Sequence, residues 1–224
     1  MNKKGEEKLV VTEKSKNKLQ VRQIAKINLR HNFLPLFLLS LIILAITPIL
    51  FGTANLNETA SAVPLEMLVS IIGVVILTPL FHPEQNTEIE DIISSKYVNN
   101  TYVHLIRVIY SIIGIAVLII CFSVYMLICR CKLTIPLILG TFADAMFLGS
   151  IGLLSAAVSN NLPVAFMVSI LYYLLNITIQ SKLGYFNLFS MMNGNYTPNL
   201  WLLTSSILII VLAILIKRII TKCR

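Results

Sequence analysis

Long stretches in which almost every position is apolar alternate with short polar breaks along this chain. Apolar runs cover 33–51, 63–81, 107–129, 133–158, 164–181 and 200–217, each close to the roughly 20 residues that a helix needs to cross the hydrocarbon core of a bilayer. The runs are continuously apolar rather than alternating, which argues against a membrane β-barrel. The pattern predicts an all-α polytopic membrane protein with six transmembrane helices. Only Cys129-Arg130-Cys131-Lys132 separates the third run from the fourth. Their combined length exceeds a single span, so this stretch is read as a tight corner.

Composition agrees. Of 224 residues, 57% are hydrophobic and 12% charged, about half the charge of an ordinary soluble domain. That excludes a water-soluble globule and a disordered chain. Four cysteines without a secretory leader make no disulfide framework. The chain divides into a basic tail over 1–32, a membrane domain over 33–217 with a polar loop at 82–106, and a basic end over 218–224.

Charge sets the expected orientation, because Lys and Arg near span ends collect on the cytoplasmic side. If the N-terminus is cytoplasmic, only Arg130, Lys132 and Lys182 of the 18 basic residues fall outside. Both termini are therefore expected in the cytoplasm. The tail is too long, and the apolar run after it too extended, for a cleaved leader, so it is expected to stay attached. Within it Lys18, Arg22, Lys26 and Arg30 recur at every fourth position, with Val21, Ile24 and Ile27 on another side. This describes a basic amphipathic helix lying on anionic lipid, beside the plainer reading that the charges only set topology. The net charge of +8 comes mostly from this tail, which favours lipid over nucleic acid as its partner.

The loop between spans two and three is the most informative segment. From Thr87 it reads Thr-Glu-Ile-Glu-Asp-Ile-Ile-Ser-Ser-Lys, in which Thr87 and Glu90 form a capping box. Glu88, Glu90 and Asp91 crowd the first turn and Lys96 sits near the end, as a helix dipole prefers. Ile89, Ile92 and Ile93 then share a face with Lys96 or Tyr97. A helix this short is unstable alone in water, so its apolar face must dock, and its acid face would be repelled by an anionic leaflet. Docking on a protein is favoured over resting on lipid. Asn99, Asn100 and Thr101 are expected to break the helix before span three.

Six spans, a basic entry helix and an acidic capped helix after span two resemble the permease subunit of type-2 ATP-binding-cassette exporters. In that family the corresponding loop follows a Glu, Gly-Thr, Glu, Leu-Leu-Ser plan. Glu84, Thr87, Ile92, Ile93 and Ser94 suit that plan, whereas Asn86 replaces the usual Gly, Glu88 and Glu90 flank the expected acid, and no Pro follows. The resemblance implies that Glu84, Thr87, Glu88, Ile89, Glu90, Asp91, Ile92, Ile93 and Lys96 form a coupling helix that docks on a cytoplasmic ATP-binding-cassette ATPase. It also implies a second permease copy or homologue, a bacterial plasma membrane, and ATP used by the partner with no cofactor bound directly. Between spans five and six, Lys182 to Asn199 interleaves Gly184, Gly194 and Pro198 with Tyr185, Phe186, Phe189 and Tyr196. That composition suits short re-entrant or interfacial helices, which related permeases carry on the outer face. Aromatic residues at both rims are also ordinary interface anchors.

Asp144 is the exception to apolarity within the membrane, deep in span four. An ionisable group at that depth faces a polar cavity or a partner by default. Two readings stay open: a lining of the translocation path, or a hydrogen-bonded carboxyl held in the bundle. Gly140, Ala145, Gly149, Gly152 and Ala156 on the same helix predict close packing beside it. Glu66 is expected in solvent at the outer mouth of span two, and Arg107 at the inner rim. Catalytic signatures are absent. There is no phosphate-binding loop and no H-E-x-x-H, one membrane Asp cannot form a carboxylate dyad, no His has a Cys or His partner at ligand spacing, and Cys129-x-Cys131 is only weak evidence for a metal or redox site. The chain is read as no enzyme, without a metal. An alternative from another class is a non-transporting membrane protein, such as a bacteriocin-immunity or sensor component, that binds a partner through the same acidic helix.

Overall fold

The computed structural model of the chain describes residues 33–84, 100–179 and 182–223, and among them every regular element is helical. Helix α1 spans Leu34–Phe51. The second span is composite: α2 at Glu58–Pro64, one π-helical turn at Leu65–Val69, α3 at Ile71–Leu77, and a 3-10 segment at Thr78–Glu84. Then come α4 at Asn100–Ile128, α5 at Ile135–Ser159, α6 at Leu162–Thr178 and α7 at Thr197–Cys223. Two short 3-10 turns, Gly184–Phe186 and Met191–Asn193, lie between α6 and α7.

Five stretches are long and apolar enough to cross a membrane: Leu34–Phe51, Glu58–Phe81, His104–Ile128, Ile135–Ser159 and Thr197–Ile220. Helix α6 is apolar but has 17 residues, the lower end of spanning length. The apolar runs thus become helices, with displaced boundaries. The second span starts at Glu58 rather than 63. Asn100 and Thr101, expected to break the chain before span three, form the first turn of α4. Pro35, Pro136 and Pro163 sit in the first turns of α1, α5 and α6, where a missing N–H costs nothing. The Cys129 to Lys132 corner turns at Arg130 (φ 60°), with the Arg130 and Cys131 amides donating to Leu127 and Met126 carbonyls at 3.0 and 3.1 Å.

Helix α5 is the centre of the bundle and packs on α7, α3 and α6. Of the most apolar windows, 72% is buried in both α5 and the second span, against 17% in α1. Large apolar side chains of α1, α4, α6 and α7 face outward, among them Ile49, Ile120, Met167 and Leu208. Hydroxyls of Ser40, Thr47, Ser123 and Thr141 inside the bundle donate to carbonyls one turn back, which satisfies them without water. The close packing expected around Ala145-x-x-x-Gly149 is present. A Cβ on Gly73 would fall on the Ala145 backbone, and one on Gly149 on the Gly73 carbonyl.

One end of the bundle joins the first loop to the α4–α5 corner. The Asn55 amide donates to the Cys129 carbonyl at 3.1 Å, and that of Lys132 to Leu56 at 2.9 Å. There Glu58 Oε1 accepts from the hydroxyls of Thr134 at 2.9 Å and Tyr196 at 2.8 Å. The opposite end holds Phe81, His104, Asn160 and Lys217.

Candidate functional site

The segment between α6 and α7 folds back into the bundle. Leu188, Phe189 and Met191 are fully buried, and Asn187 and Ser190 nearly so, so this part of the segment re-enters the bundle rather than lying over its surface. Its backbone lacks a helical partner for each amide, and side chains from the helices supply acceptors. Asn176 on α6 accepts the Leu188 amide at 3.0 Å and donates to the Tyr172 carbonyl at 3.1 Å. Asn187 Oδ1 accepts the Phe189 amide at 2.9 Å. Tyr172 donates to the Phe186 carbonyl at 2.8 Å. Gly140 on α5 makes room for the segment, since a Cβ there would meet the Met191 sulfur and the Asn199 side chain.

Glu66 holds the tip. Its Oε1 accepts the Met191 amide at 2.6 Å and its Oε2 the Met192 amide at 3.1 Å. The residue is wholly buried, which corrects the expectation of a solvated carboxyl at the mouth. The physical reason is the earlier start of the span: beginning at Glu58, the helix carries Glu66 two turns inside, and the re-entrant tip then covers it. The local cause is the π turn. Pro64 has no amide to give, the Ser70 amide reaches back five residues to Leu65, and the Ser70 hydroxyl donates to the Glu66 carbonyl. Single π turns of this kind recur at functional sites. Tyr173 on α6 donates to the Met67 carbonyl at 2.6 Å, tying the same turn to a third helix.

Asp144 lies one turn along α5 from Gly140 and so shares the face that the re-entrant tip touches. It is fully buried, and neither carboxylate oxygen has a hydrogen-bond partner among the described residues. Glu66 and Tyr172 are within electrostatic reach of it. Phe147, at i+3 from Asp144, packs edge-on against Tyr172 at 5.5 Å and beside Phe186 at 6.0 Å. Tyr173 meets Phe189 edge-on at 5.5 Å. Phe147, Phe189, Tyr172 and Tyr173 thus belong to one packed cluster at the α5–α6 contact. On the outer surface Tyr185 pairs with Trp201 at 5.8 Å, both exposed, as interface anchors do.

At the opposite end, His104 meets the Phe81 ring edge-on at 5.2 Å, and Lys217 Nζ sits 5.8 Å from that ring while donating to Asn160 Oδ1 at 3.0 Å. Arg107 donates to the Leu80 carbonyl at 3.4 Å, so it is partly folded against the bundle. No group of three or more potential metal ligands occurs among the described residues.

Of the residues singled out in the sequence, Glu84 closes the 3-10 segment Thr78–Glu84. Thr87, Glu88, Ile89, Glu90, Asp91, Ile92, Ile93 and Lys96 lie outside the described residues, as do Lys18, Arg22, Lys26 and Arg30. Glu66, Asn176 and Tyr172 are the residues that sequence reasoning did not assign to this region. No known protein family, curated protein or solved structure matches the chain.

Proposed function

We propose that the chain is the membrane-spanning subunit of an ATP-driven exporter in a bacterial plasma membrane, with both termini cytoplasmic. It pairs with a second permease copy or homologue and docks through the helix beginning at Thr87 on a cytoplasmic ATP-binding-cassette ATPase. That partner uses the ATP, since the chain has no phosphate-binding loop. The observation that carries this reading is a fully buried carboxyl, Asp144, beneath a re-entrant segment at one end of a bundle of six apolar helices. A passive anchor gains nothing from an acid at that depth, whereas a conduit for polar cargo does.

The docking helix gives the direct test. Replacing Ile92 and Ile93 together by Asp places unpaired charge in the contact, at a cost of several kcal/mol. The ATPase is expected to be lost on co-purification while the permease still inserts. Undiminished co-purification and transport would remove the coupling assignment. A stable complex whose ATP hydrolysis ignores this subunit would favour the immunity or sensor reading instead.

Orientation has its own test. Cys129 is half-exposed at the α4–α5 corner, Cys131 is buried, and Cys121 is exposed within the apolar span of α4. In whole cells a membrane-impermeant thiol reagent is expected to label Cys129 first, Cys131 slowly, and Cys223 not at all. Labelling of Cys223 with Cys129 protected reverses the topology.

A further inference from the structure

We infer that the cargo recognised in the bundle is a lipophilic organic cation, an ammonium or phosphonium carrying apolar groups, held by Asp144 against the aromatic wall of Phe147 and Tyr172. This rests on the exporter reading and names the substrate class of the same region. The two buried acids differ in what already satisfies them. Glu66 has both oxygens occupied by backbone amides. Asp144 has neither oxygen occupied by any described group, and the charge acting on it is another acid rather than a base. In its ionised form a carboxyl so placed needs a cation beside it, and the surroundings indicate which kind. With no third acid, His or Cys to complete a cage among the described residues, a metal ion lacks ligands. A ring face instead attracts a desolvated organic cation, and Phe147, Tyr172, Phe186 and Phe189 supply aromatic surface. Val74, Leu148 and Leu202 pack in the same buried cluster as Phe147 and offer apolar surface to the substituents of such a cargo.

The experiment uses the purified full chain in nanodiscs, with empty nanodiscs subtracted, and compares tetraphenylphosphonium with tetraphenylborate, which has the same shape and opposite charge. Saturable binding of the cation alone is expected. Asp144→Asn should weaken it by roughly tenfold or more, as loss of one partner of a buried charge pair does. Phe147→Leu keeps the carboxyl and removes a ring, and should weaken it by roughly threefold to tenfold. This second variant keeps the test decisive if Asp144→Asn fails to fold. Equal binding of both ions, no saturable binding, or affinities unmoved by Phe147→Leu and by folded Asp144→Asn would overturn the assignment. Because no ATPase is present in this assay, its failure leaves the coupling reading standing. Loss of the ATPase contact in the docking test would in turn leave the cation site untouched.

Discussion

Gly73→Ala is expected to destabilise the bundle strongly, although it adds a single methyl group. The added Cβ would fall on the carbonyl and Cα of Ala145, which belong to the α5 backbone and cannot rotate aside. The two helices must separate instead. Separation also opens the neighbouring contacts along the same line, where Gly149 meets the Gly73 carbonyl and Leu77, and Gly152 meets Thr78 and Ser169. Inside a bilayer no hydrophobic force draws the helices back, because lipid tails are as apolar as the surfaces exposed. A loss at or above the usual overpacking range, about 2–3 kcal/mol or more, follows. Gly140→Ala is the comparison. There the new atom meets the Met191 thioether and the Asn199 amide, ends of side chains that can move, and the cost should stay near 1 kcal/mol. Thermal unfolding in mild detergent measures both. Equal midpoints for the two variants would mean that the α3–α5 contact does not hold the bundle together.

The α5 half of that contact was legible in the sequence, for a local reason, whereas its partner Gly73 on α3 was not. Gly140, Gly149 and Gly152 recur within one apolar helix, and small residues at helical spacing in lipid have few other uses. The apolar runs likewise became helices because bilayer thickness fixes their length whatever the tertiary structure does. The ends were less legible. Asn57, before Glu58, is of a type that commonly starts a helix, although its side chain makes no capping bond here, and Glu58 lies outside the apolar run at 63–81. In the structure the Glu58 carboxyl is satisfied by Thr134 and Tyr196, partners 76 and 138 residues away. Asn100 and Thr101 have weak helix propensity, but α4 continues through them to its first turn at Asn100.

The Lys182 to Asn199 composition suited short re-entrant or interfacial helices, since Gly, Pro and aromatic residues are mixed there without a helical period, and it left the choice between them open. What it could not announce is the element's attachment. Asn176 meets Leu188 across 12 residues, but Glu66 meets Met191 across 125. Only the second contact shows that span two carries the anchor. Asp144 stood out at once because a carboxyl amid apolar residues is costly wherever it points. Its lack of a described partner, and the aromatic side chains beside it, depend on how α5 and α6 pack.

Glu66→Ala is expected to release the tip of the re-entrant segment while leaving the helices in place. The substitution removes the acceptors of the Met191 and Met192 amides at once. Met191 and its neighbours Phe189 and Ser190 are buried, so water cannot simply replace the lost oxygens. Each stranded amide costs about 1–3 kcal/mol, and the pair accounts for about 2–6 kcal/mol unless the tip moves out. Moving out is the cheaper response, because the segment's other supports, Asn176 to Leu188 and Tyr172 to Phe186, lie on its α6 side and can act as a hinge. Hydrogen exchange should therefore rise at Met191 and Met192 while α5 stays protected, with a lowered unfolding midpoint in detergent. Glu66→Gln should fall between, since its amide retains one acceptor but turns an NH2 toward the second backbone N–H. If all three proteins exchange alike at these two amides, Glu66 does not hold the tip. If the tip does open, it uncovers the Gly140 face of α5, on which Asp144 lies one turn along, and the carboxyl that a solvent-facing reading of Glu66 had set aside proves to be what holds that segment in place.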